Sequence, residues 1–153
     1  MVLEALITIV IFGMLVVAIF PSLNFLVVRS RRTKENSQAS ILLQEGMEAT
    51  YNVLTQSPDP DLSGFADGQY NLAQSPASWV LNGPIFPTLP EVIDIYYRTI
   101  TIEKVCRNDA SGGQEPCSGD NEDPNSKKVT TVITWTENSS DKDIKAEMVV
   151  VKF

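Results

Sequence analysis

The chain begins with an apolar run that is hydrophobic on every face of a helix. From Val2 to Val28 it reads VLEALITIVIFGMLVVAIFPSLNFLVV. At about 1.5 Å per residue, a helix of this length extends roughly 40 Å, whereas the hydrocarbon core of a bilayer is about 30 Å thick. The run therefore predicts a membrane helix. A secretory signal peptide is the alternative, but the run has neither a basic start nor a small-residue cleavage site after it.

A single carboxylate lies near the start of this run. At bilayer depth Glu4 would cost about 3 kcal/mol or more without a partner, which makes it a candidate functional residue. The alternative is a glutamate whose side chain reaches the polar interface of the membrane.

Two residues disturb the middle of the run. Pro21 removes one backbone donor and its ring clashes with the carbonyl of Val17, while Gly13 offers no side chain for packing. Together they predict that the helix loosens between positions 13 and 21. A simple kink is the alternative, because glycine and proline are both common in membrane helices.

The spacing of these three residues resembles a known family. Glu4, Gly13 and Pro21 stand nine and eight positions apart in an apolar N-terminal run. They are similar to the mature N-terminal segment of type IV pilins and of type II secretion pseudopilins. The resemblance covers residues 2 to about 30 and is only architectural beyond them. Family members carry one more residue before the glutamate, often a methylated phenylalanine. The resemblance thus implies that this additional residue is absent from the sequence, or that Met1 occupies a position different from the usual one. It also implies that the numbering is that of a mature or trimmed form without the leader peptide.

A basic collar follows the apolar run. It consists of Arg29, Arg31, Arg32 and Lys34. The positive-inside rule would place the collar in the cytoplasm, whereas the resemblance implies that the rest of the chain lies outside, and we follow the resemblance. Anionic lipid headgroups, acidic residues of adjacent subunits and water are its alternative partners.

Helical periodicity continues beyond the collar. Two neighbouring stripes of apolar and small side chains predict a helix lying on a core. One stripe consists of Ala39, Leu43, Met47, Tyr51 and Leu54. The other consists of Leu42, Gly46, Ala49 and Val53. Pro58 and Pro60 predict that the helix ends near Gln56. One helix thus has an apolar first half, 1–28, and an amphipathic second half, 29–56.

Residues 57–153 are predicted to form a globular β head. Residues 57–90 contain six of the nine prolines together with large aromatic residues, which predicts an ordered but irregular loop. Three strands follow, at 92–106 with a bulge near Arg98, at 129–136 and at 144–153. Short connections predict an antiparallel meander, whose apolar face the amphipathic half of the helix would cover. The predicted fold class is therefore α+β, as the resemblance to pilins also implies.

The two cysteines, Cys106 and Cys117, are separated by ten residues rich in turn formers. In an exported protein this spacing predicts a disulfide, which the chain-entropy model values at about 3 kcal/mol. A reduced pair is the alternative. Nearby, Asp120, Glu122 and Asp123 match no calcium-loop signature, so we expect no metal site there.

Composition excludes several functional classes. The absence of histidine excludes Ser-His-Asp and Cys-His schemes and histidine-bound metals, and no nucleophile lies beside a recognisable base. We therefore expect no enzyme and no cofactor. Residues 1–54 hold four basic and four acidic residues, so the net charge of −7 comes entirely from residues 55–153. An acidic head repels phosphate backbones, so we expect no nucleic-acid binding through it.

The resemblance implies the main structural subunit of an extracellular filament of the type IV pilus kind, with roles in adhesion, motility or secretion. Glu4 would meet the terminal ammonium of a neighbouring chain, at the position of Met1. Before assembly the chain would lie in the cytoplasmic membrane and meet a prepilin peptidase and an assembly platform protein. The alternatives are a minor pilin or pseudopilin of a type II secretion or DNA-uptake machine, and a monomeric membrane-anchored binding head.

Overall fold

The computed structural model describes residues 2–75, 78–84, 90–107, 113–117, 121–137 and 139–152. The chain divides into two compact units, Met1–Gln38 and Ala39–Phe153. The boundary falls inside the predicted amphipathic half, 29–56. The fold class is α+β, as predicted.

A single helix, α1, runs from Val2 to Gln56. Its end is where the sequence predicts it, because Pro58 and Pro60 cannot continue a helix. From Leu3 to Gln38 almost every side chain is exposed. The apolar first half of α1 therefore exposes its hydrocarbon side chains.

From Ala39 onward α1 packs on the head. Ala49 and Leu54 are fully buried and belong to the same core cluster as residues of the sheet. The prediction is wrong at Tyr51, which is 49% exposed, and Thr50 is buried instead. The Thr50 hydroxyl donates to the carbonyl of Gly46 at 2.7 Å, so burial leaves no unpaired polar atom on that side chain.

The described part of the head contains seven strands, all paired antiparallel. They are β1 Gly68–Gln74, β2 Trp79–Asn82, β3 Glu91–Ile93, β4 Tyr96–Arg107, β5 Gln114–Glu115, β6 Glu122–Glu137 and β7 Ser140–Val151. The main order is β2-β1-β4-β6-β7, and β3 and β5 also pair with β4. The predicted meander is thus confirmed in β4, β6 and β7.

Two predictions about this region are wrong. Part of the predicted irregular loop, 57–90, is the hairpin β1–β2, in which Leu72 lies opposite Leu81. The strand predicted over 92–106 is interrupted by a turn at Asp94, whose φ is 56°. Val92 then lies opposite Tyr97 in the hairpin β3–β4, so the change of apolar phase comes from a turn and not from a bulge near Arg98. An irregularity of register does occur further along β4, between Lys104 and Cys106.

Two apolar clusters form the core. The larger one contains Ala49 and Leu54 of α1 with the fully buried Ile100 and Ile102 of β4. The smaller one joins Ala39, Tyr96, Ile133 and Trp135. The Tyr96 and Trp135 rings are 6.0 Å apart between centroids and tilted, an arrangement that aromatic pairs favour.

Candidate functional site

The surface of α1 from Leu3 to Val28 presents almost only hydrocarbon. Leu3 is 74% exposed and Phe12 67%. The Thr8 hydroxyl donates to the carbonyl of Glu4 at 2.8 Å, so the backbone of the same helix satisfies its hydrogen bond. An exposed apolar surface of this extent marks contact with a membrane or with other protein. The helix is long and apolar enough to cross a membrane, as predicted.

Glu4 is the one ionisable side chain between Leu3 and Val28. It is exposed on the first turn of α1. Among the residues that the structure describes, none donates a hydrogen bond to its carboxylate or forms an ion pair with it. Met1 lies outside the described residues, so its predicted part in assembly stays a prediction. Any apolar environment that covers this surface must therefore supply a partner for Glu4 or bear the cost of an unpaired charge.

Gly13 and Pro21 both lie within unbroken helix. No atom outside the neighbouring helix backbone lies within 4 Å of the position that a Cβ on Gly13 would take. The loosening predicted between the two residues is absent from this structure, in which α1 remains helical throughout. A proline inside a helix still removes one backbone hydrogen bond, so this segment is the weakest part of the apolar half. Its behaviour in an assembled form stays a prediction.

The basic collar lies on the exposed surface of α1. Arg31 Nε donates to Glu35 Oε1 at 2.9 Å, while the side chain of Arg31 remains 81% exposed. An ion pair this exposed contributes at most about 1 kcal/mol, so it can exchange for another partner. With Glu35 counted, residues 29–35 keep a net charge of +3.

Arg98 is a site that the sequence analysis missed. Its side chain is 1% exposed, and its Nε and Nη2 donate to Glu91 at 3.0 and 2.9 Å. Its Nη1 donates to Glu45 Oε1 of α1 at 3.2 Å. A Cβ on Gly46 would come within 3.1 Å of both Arg98 Cδ and Thr131 Cγ2, so the helix approaches the sheet closely at this glycine. Arg98 thereby ties α1 to β3 and β4 inside the head.

The disulfide prediction is confirmed. Cys106 and Cys117 are bonded, with their Cα atoms 5.1 Å apart. Cys106 lies on β4 opposite Glu115 of β5. The bond closes a short loop beside β4 and leaves β7, the last strand, outside it.

Next to the disulfide, Arg107 and Asp123 form an ion pair of 2.6 Å between Nε and Oδ2. The Ser126 hydroxyl also donates to Asp123 Oδ2 at 2.6 Å. Burial opposes ionisation of Asp123, but the hydrogen bonds from Ser126 and Arg107 outweigh it and lower the pKa of this carboxyl. Glu122 pairs with the buried Lys127 at 3.1 Å. The two acids are therefore occupied by side chains of the head.

Asp120, the third acid considered for calcium, lies outside the described residues. Within the described residues, no three His, Cys, Asp or Glu side chains are close enough together to hold a metal ion.

The candidate residues fall into two groups. Glu4, Gly13, Pro21 and the collar belong to the unit Met1–Gln38, and Arg98 and the disulfide belong to the unit Ala39–Phe153. Comparisons with models of known families, with curated proteins and with solved structures give no significant match to this chain.

Proposed function

We propose that this protein is the main structural subunit of an extracellular filament similar to a type IV pilus. The observation that carries the proposal is the exposed apolar surface of α1 with one carboxylate in it. A surface of this kind is suited to the hydrocarbon of a membrane before assembly. After assembly it is equally suited to a bundle of identical helices, which would form the core of the filament.

Glu4 is the residue that favours a bundle over a simple anchor. A membrane anchor gains nothing from a carboxylate near its end, because an ion at bilayer depth is costly without a partner. In a bundle, the carboxylate would meet the terminal ammonium of a neighbouring chain. The pair need not add stability, since desolvation can consume its gain, but one member left unpaired costs several kcal/mol. Only one axial register satisfies both charges, so the pair sets the register of the subunits.

Gly13 and Pro21 would act within the bundle. A helix weakened between them can bend as it packs against its neighbours, and the resulting filament can stretch. The proposed partners are identical subunits in the fibre and, before assembly, the membrane, a prepilin peptidase and an assembly platform protein. The proposed role is structural and requires no catalytic group or cofactor.

The first test is to shear surface fibres from cells that express the chain and to examine them by negative-stain microscopy and mass spectrometry. We expect this chain to be the most abundant protein of the fibres. A chain found only in traces would instead be a minor pilin or a pseudopilin, and a chain found only in the membrane would be an anchored head.

The second test replaces Glu4. We expect Glu4→Ala to remain in the membrane fraction and to abolish or disorder fibres, because the register-setting charge is lost. Glu35→Ala is the matched control. Glu35 is the other acidic residue of the unit Met1–Gln38 and lies outside the apolar run, so its loss should leave fibres intact. Wild-type fibre yield from Glu4→Ala would refute the proposed role.

A further inference from the structure

The outer face of the sheet carries an exposed apolar patch. This outer patch consists of Val92, Ile95 and Tyr97, which are 63%, 44% and 43% exposed. Val92 lies opposite Tyr97, and Tyr97 lies opposite Thr134, so Val92, Tyr97 and Thr134 share the face that points away from the core, while Ile95 lies in the turn between β3 and β4. Among the described residues nothing covers the patch.

Two acids border the outer patch on the side of β7. Asp143 lies opposite Thr134 in the same row as Tyr97, and Asp141 lies opposite Thr136 in the next row. A shallow hollow lies between the apolar and the acidic sides, lined by Tyr97, Thr134, Trp135, Thr136 and Asp141. The face therefore changes from apolar to acidic over two strand spacings, which is about 10 Å.

Neighbouring lysines do not cancel this acidity. Lys142 lies opposite a core residue of β6 and projects from the other face of the sheet. Lys145 shares the outer face, but its Nζ is held by Glu147 at 2.6 Å. The charge offered beside the outer patch is thus negative.

The collar region has the complementary pattern on one side of α1. Phe25, Val28, Arg29 and Arg32 stand at spacings of three, four and seven residues, so they lie on one helix face. Phe25 and Val28 are 64% and 49% exposed, and both arginines are exposed. From Phe25 to Arg32 this face extends about 10 Å, the same length over which the head changes from apolar to acidic.

We propose that the outer patch binds the Phe25–Arg32 face of a second copy of this chain. Phe25 and Val28 would cover Tyr97 and its apolar neighbours, while Arg29 and Arg32 would pair with Asp141 and Asp143. This inference rests on the proposed filament and adds to it a contact between the head of one copy and the stem of its neighbour, where the stem is the part of α1 up to Gln38. Exposed charges of opposite sign also guide the encounter, so assembly through this contact weakens as salt screens them.

The test is a charge exchange in the full chain, with fibre yield as the measurement. Asp141→Arg with Asp143→Arg places like charges together, as does Arg29→Asp with Arg32→Asp. Like charges at a contact cost several kcal/mol, so each double variant should lower fibre yield at least about tenfold. The four changes combined in one chain should restore the yield to within about twofold of wild type, since opposite charges face each other again. Restoration also excludes misfolding as the cause, because a change in the stem cannot repair a misfolded head.

The matched control is Glu48→Arg with Glu103→Arg, which reverses two exposed acids outside the proposed contact, one on α1 and one on β4. It should leave the fibre yield unchanged. Wild-type yield from Asp141→Arg with Asp143→Arg, or a combined variant no better than its parents, would overturn this contact. If Glu4→Ala still abolishes fibres in that case, the proposed filament stands without the contact. Wild-type chains that form no fibre overturn both.

Discussion

Arg98 and Glu4 are two side chains of opposite charge type, and they differ in where their partners come from. Arg98 is buried in the head, where Glu91 and Glu45 accept its hydrogen bonds. Glu4 stands on an apolar helix surface, where none of the described residues reaches its carboxylate. The first charge is neutralised within the fold, whereas in the proposed filament the second meets the amino terminus of a neighbouring chain.

Replacing Arg98 tests the internal network. Arg98→Ala removes a buried side chain and its hydrogen bonds to Glu45 and Glu91, which are themselves partly exposed, so we expect the free energy of unfolding to fall by about 2–3 kcal/mol. Lys128→Ala is the control, because Lys128 also meets two glutamates but is 38% exposed, and its loss should cost no more than about 1 kcal/mol. Urea unfolding of the full chain in detergent, followed by tryptophan fluorescence of the head, measures both. Equal losses of unfolding free energy in the two variants would contradict a stabilising role for the Arg98 network.

The lowered pKa of Asp123 predicts that the stability of the head depends on pH. Its hydrogen bonds lower the pKa of the folded carboxyl below the ordinary value of 3.8. The contribution to stability is therefore complete above that ordinary pKa and is lost as the pH falls through the lower, folded value. We expect wild type to lose stability as the pH falls below about 5, and Asp123→Asn, which costs about 1 kcal/mol at pH 7, to lose less over the same change in pH. Parallel pH profiles of the two proteins would contradict this role.

At the scale of elements, the close approach of α1 to the sheet depends on Gly46. A larger side chain there would meet Arg98 and Thr131, so we expect Gly46→Leu to destabilise the head by about 1–3 kcal/mol. Gly13→Leu is the matched control, since open space surrounds that glycine and leucine favours a helix. The thermal unfolding of both full-length variants in detergent measures the difference. A stable Gly46→Leu protein would show that the helix does not need this approach.

Periodicity predicted the elements whose apolar residues alternate regularly. The helix end and the strands β4, β6 and β7 follow from such patterns and from the prolines after Gln56. The hairpin β1–β2 was missed because polar residues and prolines in 57–90 indicate loop, whereas pairing with β4 and burial of Tyr70 and Leu72 stabilise the strand. Tertiary packing thus overrode local composition.

The candidate site residues also differ in whether a local sequence pattern could reveal them. Local spacing was sufficient to single out Glu4, Gly13, Pro21, the collar and the two cysteines. The role of Arg98 depends on Glu45 and Glu91, which are far from each other in sequence and meet only in the folded head. Because an arginine is seldom buried, composition alone favours an exposed side chain there.

At the scale of the whole molecule, the two units have surfaces of different chemistry. The unit Met1–Gln38 exposes hydrocarbon, which membrane or protein must cover, whereas residues 55–153, which include the whole head, carry the net charge of −7. A charged head stays soluble while the apolar helices associate. In the proposed filament the apolar helices form the core and the charged heads form the outer surface.

The decisive measurement is a density map of the assembled fibre that resolves the side chain at position 4. We expect the Glu4 carboxylate in the helical core, within about 4 Å of the amino terminus of a neighbouring subunit. A carboxylate that faces lipid or water in that map, or a chain that forms no polymer at all, would contradict the proposed assembly.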